Sequence, residues 1–435
     1  MPASKEADQR SRKTLPVWPF VVPLPPLLLA GVWLSLWLPE FAERSAHAHL
    51  SKLPDLKIFR SSSPPALWPG IPVNRFTQWL HGLRPPHPPE FHLVIGAGFP
   101  RDEFRRIGSL RSISNFSATG SSITDADLER LGRGVLVGSV VLDDTAVTDA
   151  GLAHLQKQPL RRLSLRNTRV GDAGVQALAG VSLLERLDLS GTAVTGRGFS
   201  RGGFGRLTTL SLGRAPVDDG GVSGLTGCPS LRSIDLYFTR VTDACMTTLG
   251  GMRNVVSLSL DRTAVGDAGL AAYDLACRGS RGPRVRLSLR YTRITGAGLA
   301  SLVLDSRALY LTGTAVGDEV ADWLAARRHL SELEMDGTGL TDAGLAKLEA
   351  SPNLQRVSVK GCPVTEAGAI RFLVSGIPVP GRSGGFRSGR WGGAKTHIPG
   401  LGAVDALGRV EATLPYPPEI VEALWRFRGI GKLER

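Results

Sequence analysis

Apolar and polar positions recur along this chain in a block of about two dozen residues. In "LRRLSLRNTRVGDAGVQAL", Leu160, Leu163 and Leu165 alternate with polar residues, as in a short strand with one buried face. Val170, Val175 and Leu178 carry the apolar set through a turn and onto a helix. The blocks align on Ser121, Thr145, Thr168, Thr192, Ala215, Thr239, Thr263, Thr292, Thr314, Thr338 and Cys362, and eight of the ten intervals are 23 or 24 residues. Such self-similarity marks an array of stacked units, which grows without one enlarging core. A degenerate block, "VIGAGFPRDEFRRI", lies one period upstream and reads as an N-terminal cap. The longest interval, 29 residues between Thr263 and Thr292, has its extra residues in "YDLACRGSRGPRV". These are expected to bulge from the convex or lateral side, because the stacked interior must keep its register.

The block reads L-x-x-L-x-L-x-x-T-x-V-T-D-A-G-L-x-x-L over about residues 96–375. It resembles the leucine-rich repeat, in the T-x-V-T-D-A-G-L variety of bacterial, planctomycete-like proteins. It is also similar to the cysteine-containing repeats of F-box leucine-rich proteins, because Cys362 stands in the Thr position. The resemblance implies an α/β solenoid, a right-handed horseshoe with a parallel sheet on its concave face and short helices on its convex face.

Outside the repeat domain, taken as 95–375, the composition changes. Residues 1–14 form a basic tail, and 15–39 run 25 positions without a charge, long enough to cross a bilayer. Five prolines weaken a helix in the first half of that run. Lys5, Arg10, Arg12 and Lys13 precede it and fewer cations follow, which favours a cytoplasmic N-terminus and an exported remainder. The segment therefore reads as a single-pass membrane anchor, with the repeats extracytoplasmic. The alternative is a signal cleaved near Ser45–His49, giving a secreted chain. Residues 40–94 read as a Pro-rich tether, and 376–435 as a Gly/Arg-rich tail with a short helix near its end.

The repeated Asp invites a catalytic or calcium-binding reading, but one acid per unit does not supply the several converging oxygens that calcium needs. Thr148, Thr242 and Thr341 stand at helix N-caps, replaced by Gly171, Gly266 and Gly317 in other units. Asp149, Asp243 and Asp342 follow in the first turn, where negative charge complements the helix dipole. The earlier Thr145, Thr168 and Thr192 are expected to point inward and bond the turn backbone.

The remaining signals argue against an enzyme. The eight histidines lack the convergent partners of a metal site, and the four cysteines have neither metal spacing nor a catalytic signature. No phosphate loop or nucleotide fingerprint is present, so no cofactor and no metal are expected. The net charge of +13 and pI near 10.1 suggest anionic neighbours, yet no motif points to specific nucleic-acid binding.

What remains is surface. Residues flanking the strand leucines form three columns on the concave face, running from Arg162, Ser164 and Arg166 to Arg356, Ser358 and Lys360. Nine units give 27 such positions, within the roughly 20–30 residues per side of a standard interface. Glu332, Glu334 and Asp336 make an acidic step late in the array. In the middle units Tyr237, Phe238, Arg240, Arg262, Arg290, Tyr291 and Arg293 fall on adjacent turns, and Tyr and Arg are the types enriched at binding hot spots. These seven are the candidate partner-binding residues. The expectation is a non-catalytic module at the cell envelope that recognises a protein, peptide or glycan through the concave face of the solenoid, with residues 15–39 contacting the membrane. The runner-up is an intracellular adaptor, as the F-box resemblance implies.

Overall fold

Each block folds into a strand, a tight turn and a short helix or helical turn; the strands are six residues long at Ser112–Ser117 and Leu136–Val141 and three residues long from Arg162–Ser164 onward. The computed structural model describes residues 45–53, 55–60, 91–375 except 109, 111, 133–135, 279–284, 301–302 and 304–305, and two short strands at 396–398 and 402–404. Fifteen strands form one sheet in strict sequence order. From Phe91–Ile95 to Thr396–Ile398 neighbouring strands are parallel, and an antiparallel strand pair closes each end. This is the expected α/β solenoid. The core lies between sheet and helices, with Leu163, Leu165, Val170, Val175 and Leu178 all buried as the apolar pattern requires.

Two features extend beyond the repeat pattern. Residues 45–50 are helical, and Leu56–Arg60 pairs antiparallel with Phe91–Ile95, so part of the Pro-rich lead-in covers the first repeat with Ala46, Leu50 and Leu56. At the other end Ser358 pairs with His397 of the tail. The long interval lengthens a convex helix, Asp267–Cys277, to 11 residues, while 279–284 lie outside the described residues. The helix expected near the C-terminus also lies outside them.

The expectation of a single-pass protein with extracytoplasmic repeats is corrected. Among the described residues no helix is long and apolar enough to cross a membrane. The longest, at 11 residues, spans about 16 Å against a hydrocarbon core of about 30 Å. Residues 15–39 themselves lie outside the described residues.

The inward threonines behave as expected. Thr145, Thr168 and Thr239 each donate to the carbonyl three residues back at 2.7 Å. Cys362 instead reaches the carbonyl of Met335 in the preceding repeat, at 2.9 Å.

The T-D-A-G motif is a joint between repeats. Thr148, Thr242 and Thr341 do cap their helices, accepting an amide N–H at 3.2–3.4 Å. Their shorter bonds run backwards. Thr148 donates its amide and hydroxyl to Asp125 of the preceding unit at 2.8 and 2.6 Å, and Thr242 does so to Asp219 at 2.8 and 2.7 Å. Thr195, Thr295, Thr341 and Thr365 repeat the pattern on Asp172, Asp267, Asp318 and Asp342. Where Gly replaces Thr, the amides of Gly171 and Gly266 still donate to Asp149 and Asp243.

The motif glycine is the other half of the joint. A Cβ at Gly151, Gly174, Gly269, Gly344 or Gly368 would collide with the preceding unit's carboxylate. Where Asp gives way to Gly196 and Gly296, other acids take over. Arg197 pairs with Asp218 at 2.9 Å, and Glu319 accepts from the Gly317 amide at 2.8 Å.

Removing Asp219 should therefore weaken the array although the residue belongs to no active site. Asp219→Ala takes away two charge-assisted bonds and strands the Thr242 amide, which predicts a loss of about 2–3 kcal/mol in urea unfolding. Asp219→Asn keeps an acceptor and should lose less. A loss below about 0.5 kcal/mol for the alanine variant, typical of an ordinary surface change, would show that the joint carries no weight.

Candidate binding surface

Strand register brings the concave columns together. Arg162, Arg186, Thr209, Ser233, Ser257, Arg286, Ala308, Glu332 and Arg356 pair in succession, and Ser164 through Ser358 run beside them. At the late end the charges of these columns satisfy one another. Glu332 accepts from Arg286 at 3.0 Å, Arg356 at 2.8 Å and the Tyr310 hydroxyl at 2.9 Å. Arg290 reaches across one repeat and grips Glu334 with two nitrogens, at 2.8 and 2.6 Å. It also pairs with Asp261 at 3.3 Å and lies 4.6 Å from the Tyr310 ring centroid.

Burial pushes the Glu334 carboxyl up. The hydrogen bonds from Arg290 and Thr312, with the Arg290 charge, outweigh it and hold Glu334 below the ordinary glutamate value. The hydrogen bond to Glu334, opposed by burial and helped by the charges of Glu334 and Asp261, raises the Arg290 guanidinium. Glu332 and Glu334 of the acidic step are thus paired with arginines of the same face, while Asp336 accepts from the Ser358 hydroxyl and the Lys360 amide at 2.6 and 2.8 Å.

The edge beside this face is different. The residue before each inward Thr position turns the chain out of the strand with a left-handed backbone, while its N–H bonds the next repeat, as in Phe238 to the Asp261 carbonyl at 2.8 Å. Gly120, Gly191, Gly313, Gly337 and Gly361 fill this position without strain, and Asp144 and Asn167 are tolerated types. Four consecutive repeats depart from that rule, with Arg214, Phe238, Arg262 and Tyr291 at φ of 54–61°. A large side chain there costs on the order of 1 kcal/mol.

These side chains stand on the surface. Phe238 is 57% exposed and Tyr291 49%, so neither repays its strain by burial in the core. Tyr237 and Phe238 have ring centroids 6.0 Å apart, and the Arg214 guanidinium lies 5.6 Å from the Tyr237 centroid. The Arg262 guanidinium sits 4.3 Å over the Tyr291 ring. That ring lies against Gly313 of the next repeat, where a Cβ would collide with it. Arg240 and Arg293 are exposed on the same turns, one residue past the inward Thr.

Of the seven candidates, six share this edge, and Arg290 is turned into the concave network. Sequence reasoning missed Arg214. The available signal was the column of Gly, Asp and Asn before each Thr, broken by Arg, Phe, Arg and Tyr in successive units.

Other features offer less chemistry. Among the described residues no three His, Cys, Asp or Glu side chains gather as metal ligands. A shallow hollow of about 450 Å³ lies between repeats and is lined by Thr226, Cys228, Thr247, Met252 and Asn254. Burial pushes the Cys228 thiol up to about 12, which leaves it a poor nucleophile at neutral pH. His47 packs on Phe91, and His49 and His92 bond Glu103 and Asn115, so these three belong to the N-terminal cap.

Residues 156–179 match the family model described as leucine-rich repeat. No curated protein matches the chain. Among solved structures it is similar to an LRR protein of Leptospira interrogans, with 18% identity and a TM-score of 0.45. That match covers 62% of this chain and 66% of the other, just under two thirds of its length. An internalin (inlF) of Listeria monocytogenes gives 18% identity over 62% of this chain and 86% of that one, with a TM-score of 0.40. The TLR13–ssRNA13 complex gives 16% identity over 60% and 38%, with a TM-score of 0.43. The strand register and the joints between units give the chain the fold of a leucine-rich repeat solenoid, and residues 156–179 are the stretch that matches the repeat model.

Two outcomes follow from the surface geometry. Phe238→Gly and Tyr291→Gly should each raise stability, by about 0.5–1 kcal/mol in urea unfolding, because glycine removes left-handed strain at an exposed position. A loss above about 1 kcal/mol would make either aromatic a structural residue. Because the Glu334 carboxyl is depressed in the fold, its contribution is full above the ordinary glutamate value of 4.5 and is lost as pH falls below it. The stability gap between wild type and Glu334→Gln should therefore be widest near pH 6 and close towards about pH 3. A gap independent of pH would contradict the pairing with Arg290.

Proposed function

We propose that this leucine-rich repeat protein is a non-catalytic recognition module that binds a protein or peptide through the edge of its middle repeats. The observation that carries the reading is the exposed row Arg214, Phe238, Arg262 and Tyr291, held at the ends of the middle strands by left-handed backbone. Strain that native packing does not repay is a pointer to a functional surface. Tyr, Phe and Arg offer large contact areas with few rotatable bonds, and a pre-formed edge loses little entropy on binding. The bacterial, planctomycete-like subtype of the repeats belongs with this proposal, supported by the recurrence of T-D-A-G in successive units.

The test compares the full chain with a Tyr237→Ala, Phe238→Gly, Tyr291→Gly variant as baits in native extract. A partner held by the first and lost by the folded second supports the reading. Equal capture by both, or turnover of a captured molecule, would overturn it.

A further inference from the structure

Ion pairing separates the arginines of the middle repeats into two groups. Arg286, Arg290 and Arg356 on the concave face are each committed to a carboxylate of the protein itself. Arg214, Arg240, Arg262 and Arg293 on the edge have none within ion-pair distance among the described residues. Along the left-handed column the order is Arg214, Phe238, Arg262, Tyr291, a cation and an aromatic ring in alternation. Parallel strands stand about 4.8 Å apart, so the row is about 14 Å long, the reach of four or five extended residues.

We infer that the ligand of this edge is a short, extended, acidic segment of a partner protein, with apolar side chains between its acids. The inference rests on the recognition role proposed above and deepens it. Carboxylates spaced along such a segment meet the guanidiniums that have no carboxylate partner, while the intervening side chains cover Phe238 and Tyr291. The amides of Arg214, Phe238, Arg262 and Tyr291 already bond the following repeat. The partner therefore cannot add a strand here and must be read through side chains.

The boundaries of the row favour a short segment over a long polyanion. After Tyr291 the column becomes Gly313, Gly337 and Gly361, with no side chain to offer, and before Arg214 it runs through Gly191 to Asn167 and Asp144. Asp235, at the end of the strand Ser233–Asp235, would repel a phosphate backbone that strayed inward. Within the left-handed column the row from Arg214 to Tyr291 is bounded by Gly191 on one side and Gly313 on the other.

The experiment presents the full-length protein with a display library of random peptides about eight residues long, and separately with a labelled oligothymidylate. Selected peptides should be enriched in Asp and Glu together with aliphatic or aromatic residues, and should weaken at least about tenfold as salt rises from about 50 to about 500 mM. The charge variant Arg214→Gln, Arg240→Gln, Arg262→Gln, Arg293→Gln should lose at least about tenfold in affinity for those peptides. Phe238→Gly, Tyr291→Gly should lose about as much. That variant keeps all four arginines, so it reads the aromatic contacts, including the ring on which Arg262 lies.

Neutral or basic peptides that still depend on Phe238 and Tyr291 would overturn the acidic class and leave the recognition surface standing. Oligothymidylate binding without peptide enrichment would replace the inference with single-stranded nucleic acid. Peptides indifferent to both variants, or no enrichment at all, would overturn the inference, and indifference to both would remove the edge as a binding surface as well.

Discussion

The carboxylate of one repeat held by the N-cap of the next is the constraint on which this molecule depends. A repeat of three strand residues and a short helix cannot bury its own apolar face, so each unit is stable only against its neighbours. Strand ladders join the units on one side. On the other, Asp125, Asp172, Asp219, Asp267, Asp318 and Asp342 reach forward to a Thr, and the motif glycine leaves room for them. Asp and Gly recur together because they are the two sides of one contact. A β-carbon on the glycine or a missing carboxylate would open the same seam.

With that seam and the leucine core settled in each unit, the free choices lie in the strand-flanking positions and the turn that follows. Their charges divide into two regimes. On the concave face acids and arginines from non-adjacent units pair, so that Arg290 and Glu334, 44 residues apart, brace the sheet across an intervening strand. At the edge, guanidiniums stay open to solvent or lie over aromatic rings. Four successive units place large side chains where five other units use glycine. Stability is given up at these turns, as expected where a surface is kept for contact rather than packing.

Several readings were available from the chain alone because they depend on periods within a unit. Leu163 and Leu165 face inward because strand side chains alternate, and Thr168 must find a carbonyl because its hydroxyl is buried. The concave columns followed from the same alternation, and their pairing from the constant interval. The destination of Asp149 was harder to see. A helix-dipole role is local and legible, whereas its bond to Gly171 crosses to the next unit. Arg290 was read both into a concave column and into the edge cluster for a similar reason: a side chain that long can turn either way, and Glu334 decides the matter from two repeats on.

The sequence by itself determined the period, the apolar core, the inward threonines and the class of fold, because each follows from short-range alternation repeated many times. Tertiary structure decided which carboxylate meets which amide, that the lead-in at 45–60 covers the first unit, and which arginines remain unpaired. Those outcomes depend on distances between units, where stacking brings together residues that no local pattern connects. The left-handed turns lie between the two. Their glycine column is written in the sequence, but only the backbone torsions at Arg214, Phe238, Arg262 and Tyr291 reveal that four bulky residues accept the same conformation.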